Sequence, residues 1–243
     1  MDEAAKACLG PVKPASAGMA EIEAVIFDCD GVLVDSESLA LEVELEILEG
    51  CGLRFEKGDF VRRFMGTADT HFRDLLEAES QTRLGKPLRS DFLDLAHAAR
   101  ERVCRERLSE VPGARAAATA WAGKKAVASS SRMDFLREKL TLAKLIDVFE
   151  PHIYSTELVS HGKPAPDIFL FTAQKLAADP ARCIVIEDSV NGVRAGVAAG
   201  MTVWAFVGGD HCDAALGEHL VEEGATRVVD DWAQARALLE RMA

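Results

Sequence analysis

Two aspartates follow directly after a short apolar run near the start of the chain, in the stretch FDCDGVLVDSE (residues 27–37). In an extended segment, residues i and i+2 share one face, so Asp28 and Asp30 can point together while Cys29 points away. Gly31 has no Cβ, which lets the backbone turn tightly there and approach a ligand closely. Two carboxylates held together at a strand end could divide the work of a nucleophile and a proton carrier.

Further polar side chains follow the later apolar runs: Ser129, Glu187 and Asp188 stand at the ends of runs, and Lys163 lies in the loop after the third predicted strand. In a doubly wound parallel sheet, ligands bind beyond the carboxyl ends of the strands, so we expect these side chains to meet the two aspartates. Each close pair of carboxylates costs about 4 kcal/mol at an effective dielectric constant of about 20, so four of them require a multivalent cation. Mg²⁺ prefers oxygen ligands, and together with the lysine it would attract phosphate.

Phosphoryl transfer is the chemistry that these groups could perform. Asp28 would attack phosphorus to form an acyl phosphate, and Asp30 would protonate the departing alkoxide and later deprotonate the water that resolves the intermediate. A carboxylate beside another carboxylate has a raised pKa, so we expect Asp30 to hold a proton while Asp28 stays ionised on the metal. Ser129, Lys163 and backbone N–H groups of residues 28–31 would hold the phosphoryl oxygens.

Each of these residues also has a purely structural interpretation. The aspartate pair alone could be a solvated turn, but not an EF-hand loop, which needs glycine at its sixth position, whereas Gly31 falls at the fourth. Ser130 and Ser131 could cap the following helix, and the lysine could be a surface charge. The later acids could favour a helix N-terminus. Their joint placement at strand ends favours a functional site.

Short apolar runs alternate with helical stretches, which predicts an α/β fold with a doubly wound, Rossmann-like parallel sheet. The predicted strands are residues 22–27, 124–128, 152–154, 183–186, 202–207 and 227–229. About 95 residues separate the first two strands, far more than a crossover helix needs. We therefore predict an inserted α-helical cap, with helices near residues 38–49, 56–64, 69–83 and 90–108.

Two further stretches carry information about helices, and the first has competing signals. LEVELEI (residues 41–47) alternates apolar and charged residues, which by periodicity alone is typical of a strand. We predict a helix, because Leu and Glu favour helices and Ser36 or Ser38 could cap one. In EDSVNGVRAGVAAG, glycines spaced four apart predict a helix that packs closely on the sheet and ends at Gly200.

Composition limits the possible partners. A net charge of −12 argues against nucleic acid, because phosphate-backbone binders need clustered Lys and Arg. The six cysteines are scattered without a CxxC pair, which indicates neither disulfides nor zinc and favours a cytoplasmic protein. No apolar run is long enough to span a membrane, so we expect no membrane contact. Residues 1–20 are expected to form a flexible tail, with Met19 as an alternative start.

Four segments in this order, VIFDCDGVLVDSE, AVASSS, GKPAPDIF and VIEDSVNGVRAG, resemble the four motifs of the haloacid dehalogenase (HAD) superfamily. The similarity is to the phosphatase and phosphomutase branch with a helical cap, and it extends over nearly the whole chain from about residue 22. It implies a catalytic core of residues 21–36 and 112–243 and a cap of residues 37–111. By this resemblance Asp28 is the nucleophile, Asp30 the acid/base, and Ser129 and Lys163 the ligands of the phosphoryl group.

The resemblance also implies a cofactor and an activity. Mg²⁺ would be held by Asp28, Asp188 and the main-chain carbonyl of Asp30, with Glu187 binding it directly or through a water molecule. The implied enzyme is a Mg²⁺-dependent phosphatase of small phosphorylated metabolites, namely sugar, polyol or sugar-acid monoesters. We expect a monomer, with a dimer as the alternative.

A sugar phosphomutase of the beta-phosphoglucomutase type is the alternative activity. Against it, Ala40 occupies the hinge position where that mutase has a histidine, and its cap arginine is replaced near Asp69. The cap residues that could bind substrate instead are Arg62, Arg63, His71 and Arg73. A receiver-like signalling protein is a remote third interpretation, since receivers also use acids, a Ser or Thr and a Lys, but in another order along the chain.

Overall fold

A computed structural model describes residues 21–64, 69–209, 212 and 214–242. The predicted tail of residues 1–20 and the alternative start at Met19 lie outside the described residues. The position near Asp69 where the mutase arginine is expected to be replaced adjoins residues 65–68, which are also outside the described residues. The side chain of Asp69 is not described either.

The strands formed by the described residues are β1 (Ala24–Phe27), β2 (Lys124–Ser129), β3 (Ile153–Ser155), β4 (Cys183–Glu187), β5 (Thr202–Phe206) and β6 (Arg227–Val229). They make one sheet in the order β3-β2-β1-β4-β5-β6, and every pairing between them is parallel. The predicted strands are confirmed to within two residues at either end. β1 therefore lies at the centre, between β2 and β4.

Helices connect the strands. Across the described residues they are α1 (Ser36–Gly50), α2 (Lys57–Phe64), α3 (Asp69–Leu84), α4 (Phe92–Arg107), α5 (Ala114–Ala120), α6 (Met133–Leu142), α7 (Ile146–Phe149), α8 (Asp167–Leu176), α9 (Val190–Ala198), α10 (Ala214–Glu222) and α11 (Trp232–Leu239). The first four fall between β1 and β2, where the sequence predicts the helical insertion.

Both faces of the sheet are buried, as a doubly wound fold requires. All four residues of β1 are inaccessible to solvent. Val25 and Phe27 pack in a hydrophobic cluster with residues of α5, α6, α7 and α11, whereas Ala24 and Ile26 join a second cluster with α8, α9 and α10. A continuous apolar run thus gives a central strand covered on both sides.

The stretch at residues 41–47 is helical, which confirms the choice of helix over strand. Its apolar residues serve two clusters of the inserted region: Leu41 packs with the aromatic residues of α2 and α3, and Val43 packs with residues of α4. Burial on two sides explains the strand-like alternation. The predicted serine cap is wrong, because Asp35 occupies the N-cap position without a side-chain hydrogen bond to the helix.

The inserted helices are joined to the sheet through two neighbouring chain crossings. Asp35 N donates to Ser109 O at 3.1 Å, and Val111 N donates to Leu33 O at 2.9 Å. The outgoing and returning segments therefore hold each other beside the turn after β1. The division into core and cap stays a prediction.

The glycine spacing in α9 has the predicted consequence. A Cβ at Gly196 would lie 2.6 Å from Val203 Cγ2, so only glycine allows this close approach of helix to sheet. The helix ends at Ala198, and Gly200, the predicted stop, follows the C-cap Ala199 with a φ of 73° that favours glycine.

The described cysteines, Cys29, Cys51, Cys104, Cys183 and Cys212, are free thiols. No helix among the described residues combines the length and the apolar character needed to cross a membrane.

Candidate active site

The turn after β1 carries the two aspartates. Gly31 has a φ of 73°, which a side chain would oppose. Asp28 N donates to Ile186 O at 3.0 Å and Gly31 N donates to Val34 O at 2.9 Å. These two amides of the turn therefore already have acceptors within the protein. Within the described residues, the N–H groups of Cys29 and Asp30 are the ones in this turn that remain available.

Lys163 lies at the centre of the first charge cluster. Its Nζ donates to Asp28 Oδ1 at 2.5 Å, to Glu187 Oε1 at 2.6 Å and to Ala128 O at 3.1 Å. The side chain is only 5% exposed. Burial alone would lower the pKa of this ammonium, but the charges of Asp28 and Glu187 outweigh burial and raise it. Lys163 therefore stays protonated and bridges two strand ends.

Asp28 occupies an environment that disfavours its charge. Burial is the main reason that the pKa of this carboxyl stands well above its ordinary value. Lys163 lowers that pKa, but the carboxylates of Glu187, Asp188 and Asp30 each raise it further. The predicted meeting of distant residues is confirmed for Lys163 by its hydrogen bond to Asp28. Asp188 directly follows β4 and is 8% exposed. It is close enough to Asp28 for its charge to raise the pKa of Asp28.

Asp30 has the opposite environment. Both of its carboxylate oxygens accept hydrogen bonds from Lys139 Nζ, and the distance from Nζ to Oδ2 is 2.5 Å. Ser36 Oγ donates to Oδ1 at 2.5 Å and Ser131 Oγ donates to Oδ2 at 2.8 Å. Burial would raise the pKa of Asp30, but the charge and hydrogen bonds of Lys139 and the two hydroxyls lower it. The expectation that Asp30 holds the proton and Asp28 stays ionised is reversed in this arrangement, because each acid has a different set of neighbours.

Glu187 holds Lys163 in place. Its second oxygen accepts from Ser189 N and from Ser189 Oγ, each at 2.9 Å, and Ser189 Oγ also accepts from Gly192 N at the start of α9. A Cβ at Gly192 would overlap the Glu187 carboxylate. Both Glu187 oxygens are thus engaged by protein donors, and α9 approaches β4 closely because residue 192 is glycine.

Ser129 ends β2 beside this cluster. It is 1% exposed, and its Oγ accepts from Ser131 N at 3.1 Å. That hydrogen bond leaves its own proton available for another acceptor. The proposed capping role of Ser130 and Ser131 is not found: α6 has Arg132 at its N-cap position and no side-chain cap.

The donor chemistry of the site fits Mg²⁺. The carboxylates of Asp28 and Asp188 repel each other in a buried pocket, and a cation would relieve that repulsion. Among the described residues, no group of three or more His, Cys, Asp or Glu side chains is arranged to hold a metal. The ligand set that the resemblance implies needs only these two carboxylates and the Asp30 carbonyl, so it does not require such a group.

The cap candidates form contacts within the cap. Arg63 is paired with Glu79 and, at 3.3 Å, with Asp59. Arg73 donates to Ser90 O at 3.2 Å, and His71 has an exposed side chain in α3. Among the described residues, no contact is found between these three residues and the two aspartates, and the side chain of Arg62 lies outside the described part of the chain.

Three residues around Asp30 were missed by sequence reasoning: Ser36, Ser131 and Lys139. Lys139 carried a signal, because it lies on the face of α6 that also presents Leu136 and Leu140 to the core. A lysine on a buried face needs a partner. Arg100 of α4 was also missed. It forms an ion pair with the buried Glu44 and is near enough to Asp30 for their charges to interact.

Comparisons with known proteins identify the family of this chain. Residues 22–200 match the family described as haloacid dehalogenase-like hydrolase. The phosphorylated carbohydrates phosphatase of Thermotoga maritima is 33% identical over 74% of this chain and 82% of its own. Hexitol phosphatase B of Escherichia coli is 32% identical, with the same shares of 74% and 82%.

A solved structure gives the same result. The crystal structure of a HAD family hydrolase from Deinococcus radiodurans with bound phosphate and sodium has a TM-score of 0.80 and 34% identity, covering 92% of this chain and 97% of that one. The resemblance found in the four motifs is therefore confirmed, and the chain belongs to the haloacid dehalogenase-like hydrolase family.

Proposed function

We propose that this protein is a Mg²⁺-dependent phosphatase that hydrolyses small phosphorylated carbohydrates, in the range of sugar, polyol and sugar-acid monoesters. The observation that carries the proposal is the bridge of Lys163 between Asp28 and Glu187 at the carboxyl ends of β1 and β4. A buried ammonium beside a nucleophilic carboxylate supplies the positive charge that a transferred phosphoryl group needs. The named activities of the two curated relatives support the same substrate class.

The reaction begins when the Asp28 carboxylate attacks phosphorus and the bond from phosphorus to the leaving oxygen breaks. Asp30 passes a proton to that oxygen, which releases the alcohol and leaves a phosphoaspartate at Asp28. Asp30 then takes a proton from water as the water oxygen attacks phosphorus and the bond from phosphorus to the Asp28 oxygen breaks, which releases inorganic phosphate and restores the Asp28 carboxylate. Lys163 and Ser129 hold the phosphoryl oxygens through both steps.

Asp30 must gain a proton before the first step, because its resting contacts keep it ionised. The negative charge of an arriving phosphate monoester would raise the pKa of Asp30 and favour that uptake. Asp28 needs the reverse change, since only its ionised form attacks phosphorus. Substrate binding therefore favours protonation of Asp30, and Asp28 has to be ionised before it can attack.

Asp28, Asp188 and the carbonyl of Asp30 are the residues that would hold Mg²⁺. When bound, the ion supplies charge that offsets the negative phosphoryl oxygens and keeps Asp28 ionised. Glu187 acts on Lys163 in this scheme, because both of its oxygens already accept hydrogen bonds from protein groups. Metal binding should raise the melting temperature of the wild-type protein and do so less for Asp188→Asn. Equal shifts in the two proteins would reject this ligand assignment.

The mutase alternative requires the cap to hold a second phosphate while the phosphoaspartate waits. Arg63 and Arg73, which could provide that grip, are engaged by residues of the cap itself. This favours hydrolysis over transfer between sugar hydroxyls. Membership of a hydrolase family argues against the receiver interpretation. The cytoplasmic location, the monomeric state and the absence of nucleic-acid partners remain predictions.

The experiment is a phosphate-release assay with Mg²⁺, using p-nitrophenyl phosphate and a panel of sugar, polyol and sugar-acid phosphates. Asp28→Asn should reduce turnover by about 10³-fold or more, because it removes the nucleophile. Asp134→Asn, which alters an exposed aspartate paired with Arg132, is the matched control and should retain wild-type rates. Full activity of Asp28→Asn would reject the mechanism. Transfer of phosphate between carbons of a sugar phosphate with a bisphosphate primer, observed by NMR, would favour the mutase.

A further inference from the structure

Lys139 is a buried lysine whose ammonium is fully used by the Asp30 environment. It is 2% exposed. Its three N–H groups serve the two oxygens of Asp30 and Ser131 Oγ, the last at 2.8 Å, and the ring of Phe135 lies 5.1 Å from Nζ. No hydrogen bond from Lys139 reaches Asp28 or Glu187 within the described residues. Its contacts therefore centre on the proposed proton carrier and not on the nucleophile.

Stability alone does not explain a charge at this position. Lys139 lies between Leu136 and Leu140 on the buried face of α6, where an apolar residue of similar length would fit the pattern. Replacing a buried ion pair by well-packed apolar side chains is often neutral or stabilising, because desolvation opposes the Coulomb attraction. The lysine is better explained by what it does to Asp30.

The contacts fix the Asp30 carboxylate in position and in rotation. Each oxygen accepts two hydrogen bonds, one from Lys139 and one from a hydroxyl, with Ser36 on Oδ1 and Ser131 on Oδ2. Such an arrangement uses the usual acceptor capacity of a carboxylate. Rotation of the carboxylate would break at least one of these bonds. Among the described residues, Lys139 is the donor that contacts both oxygens, so it determines the plane of the group.

We propose that Lys139 is a positioning residue, which orients Asp30 for proton transfer to the leaving oxygen. The inference rests on the proposed phosphatase function and deepens it. In the step concerned, the bond from phosphorus to oxygen breaks as the Asp30 proton moves to the departing oxygen. An alkoxide needs that proton, whereas p-nitrophenolate is stable enough to leave without it. Misplacing Asp30 should therefore harm alkyl substrates more than aryl substrates.

The test compares kcat/KM for a hexitol phosphate and for p-nitrophenyl phosphate, because kcat/KM covers the steps up to departure of the leaving group. Lys139→Met should lower the value for the alkyl substrate about tenfold more than the value for the aryl substrate, with KM for both changing less than about threefold. Lys139→Arg should restore part of the alkyl activity, since it returns a donor for both oxygens. Lys125→Met, which removes a half-buried lysine bonded to Ala118 O, is the control and should leave the ratio unchanged.

A second comparison shows whether Lys139 acts through Asp30. In an Asp30→Asn background, Lys139→Met should cause no further selective loss, because the proton carrier is already absent. Ser131→Ala removes another donor to the same carboxylate without leaving a buried charge, so it should give the same selectivity with a smaller amplitude. Ser131→Ala provides the decisive measurement if Lys139→Met does not fold.

Three results would overturn the inference. Equal losses for alkyl and aryl substrates in folded Lys139→Met would mean a general structural role. A rise in KM at constant kcat would mean that Lys139 binds substrate, and a selective loss that persists in the Asp30→Asn background would mean that it acts independently of Asp30. Each result is obtained with a wild-type enzyme that hydrolyses phosphate esters, so it is distinct from failure of the phosphatase proposal, in which the wild type itself releases no phosphate.

Discussion

Asp28 and Asp30 are two residues apart on one turn, and each contacts its own buried lysine, yet their surroundings have opposite effects. Lys163 is shared between Asp28 and Glu187, and three carboxylates act on Asp28 in a buried pocket. Lys139 gives both of its carboxylate bonds to Asp30, which two hydroxyls also serve. The pKa of Asp28 is raised and that of Asp30 is lowered. Burial acts to raise the pKa of both acids, so the difference between them comes from their neighbours: competing carboxylates around Asp28, and a lysine with two hydroxyls around Asp30.

The largest expected difference between the two sites is in catalysis. Lys163→Met should lower kcat for p-nitrophenyl phosphate by about 10²- to 10³-fold, because the charge that stabilises the transferred phosphoryl group is removed. On the same substrate, Lys139→Met should cost much less, since this leaving group needs no proton. Steady-state rates of the two variants at saturating Mg²⁺ measure the difference. Similar losses would show that the two lysines do not have separate roles.

The next effect concerns stability without metal. Asp30→Asn should lower the free energy of unfolding by about 2–4 kcal/mol, because it leaves Lys139 buried without a charged partner. Asp28→Asn should instead raise it, on the order of 1 kcal/mol, because it removes a carboxylate whose ionisation is disfavoured by burial and by its acidic neighbours. Urea unfolding in EDTA at about pH 7 measures both changes. Loss of stability in both variants would contradict the contrast.

Acidification should affect the stabilities of the same two variants differently. The folded pKa of Asp28 lies above the unfolded value of about 3.9. The destabilisation that Asp28 causes therefore begins as the pH rises through the unfolded-state pKa, and it shrinks as the pH falls back toward that value. The folded pKa of Asp30 is lowered, so its contribution is complete above about pH 4 and is lost only below it. As the pH falls from about 7 to about 5, the difference in free energy of unfolding between Asp28→Asn and the wild type should become smaller. The difference between Asp30→Asn and the wild type should stay constant.

The smallest expected effect on catalysis comes from displacing Glu187, which holds Lys163 in place. Gly192→Ala would push the Glu187 carboxylate from its position, so kcat should fall about tenfold and stability by about 1–3 kcal/mol. Gly196→Ala is the matched control on the same helix, because its Cβ would crowd Val203 instead. It should cost similar stability without the loss of kcat. Equal kcat in the two variants would mean that Glu187 does not hold Lys163 for catalysis.

Much of the fold and part of the site follow from the sequence. The run Ala24–Phe27 is apolar throughout, and such a run indicates a strand covered on both faces. The meeting of Asp28 with Lys163 and Glu187 follows because parallel strands present their carboxyl ends at one edge. In the cap, the choice of helix at residues 41–47 depends on propensity, since its periodicity reflects burial on two sides.

The surroundings of Asp30 could not be predicted in the same way. Lys139 belongs to a helix, and the partner of a helical side chain depends on how that helix packs on the sheet, which local spacing does not fix. Ser36 and Ser131 precede or begin helices, where a cap is the usual role for serine. Both donate instead to the carboxylate of Asp30, which belongs to neither helix. Their function depends on tertiary contacts that sequence spacing alone does not contain.

The chain leaves the sheet region at Asp35 and returns beside it at Ser109. The inserted helices between these two points therefore resemble an exchangeable cassette, a segment that could be replaced as a unit. Because departure and return occur side by side, material of a different length or shape could be grafted between these points without altering any strand of the sheet. Substrate choice could then diversify while the chemistry beneath is retained. Ser36 is the exception, since it lies just inside the cassette and touches Asp30, so a graft would have to retain a hydroxyl there.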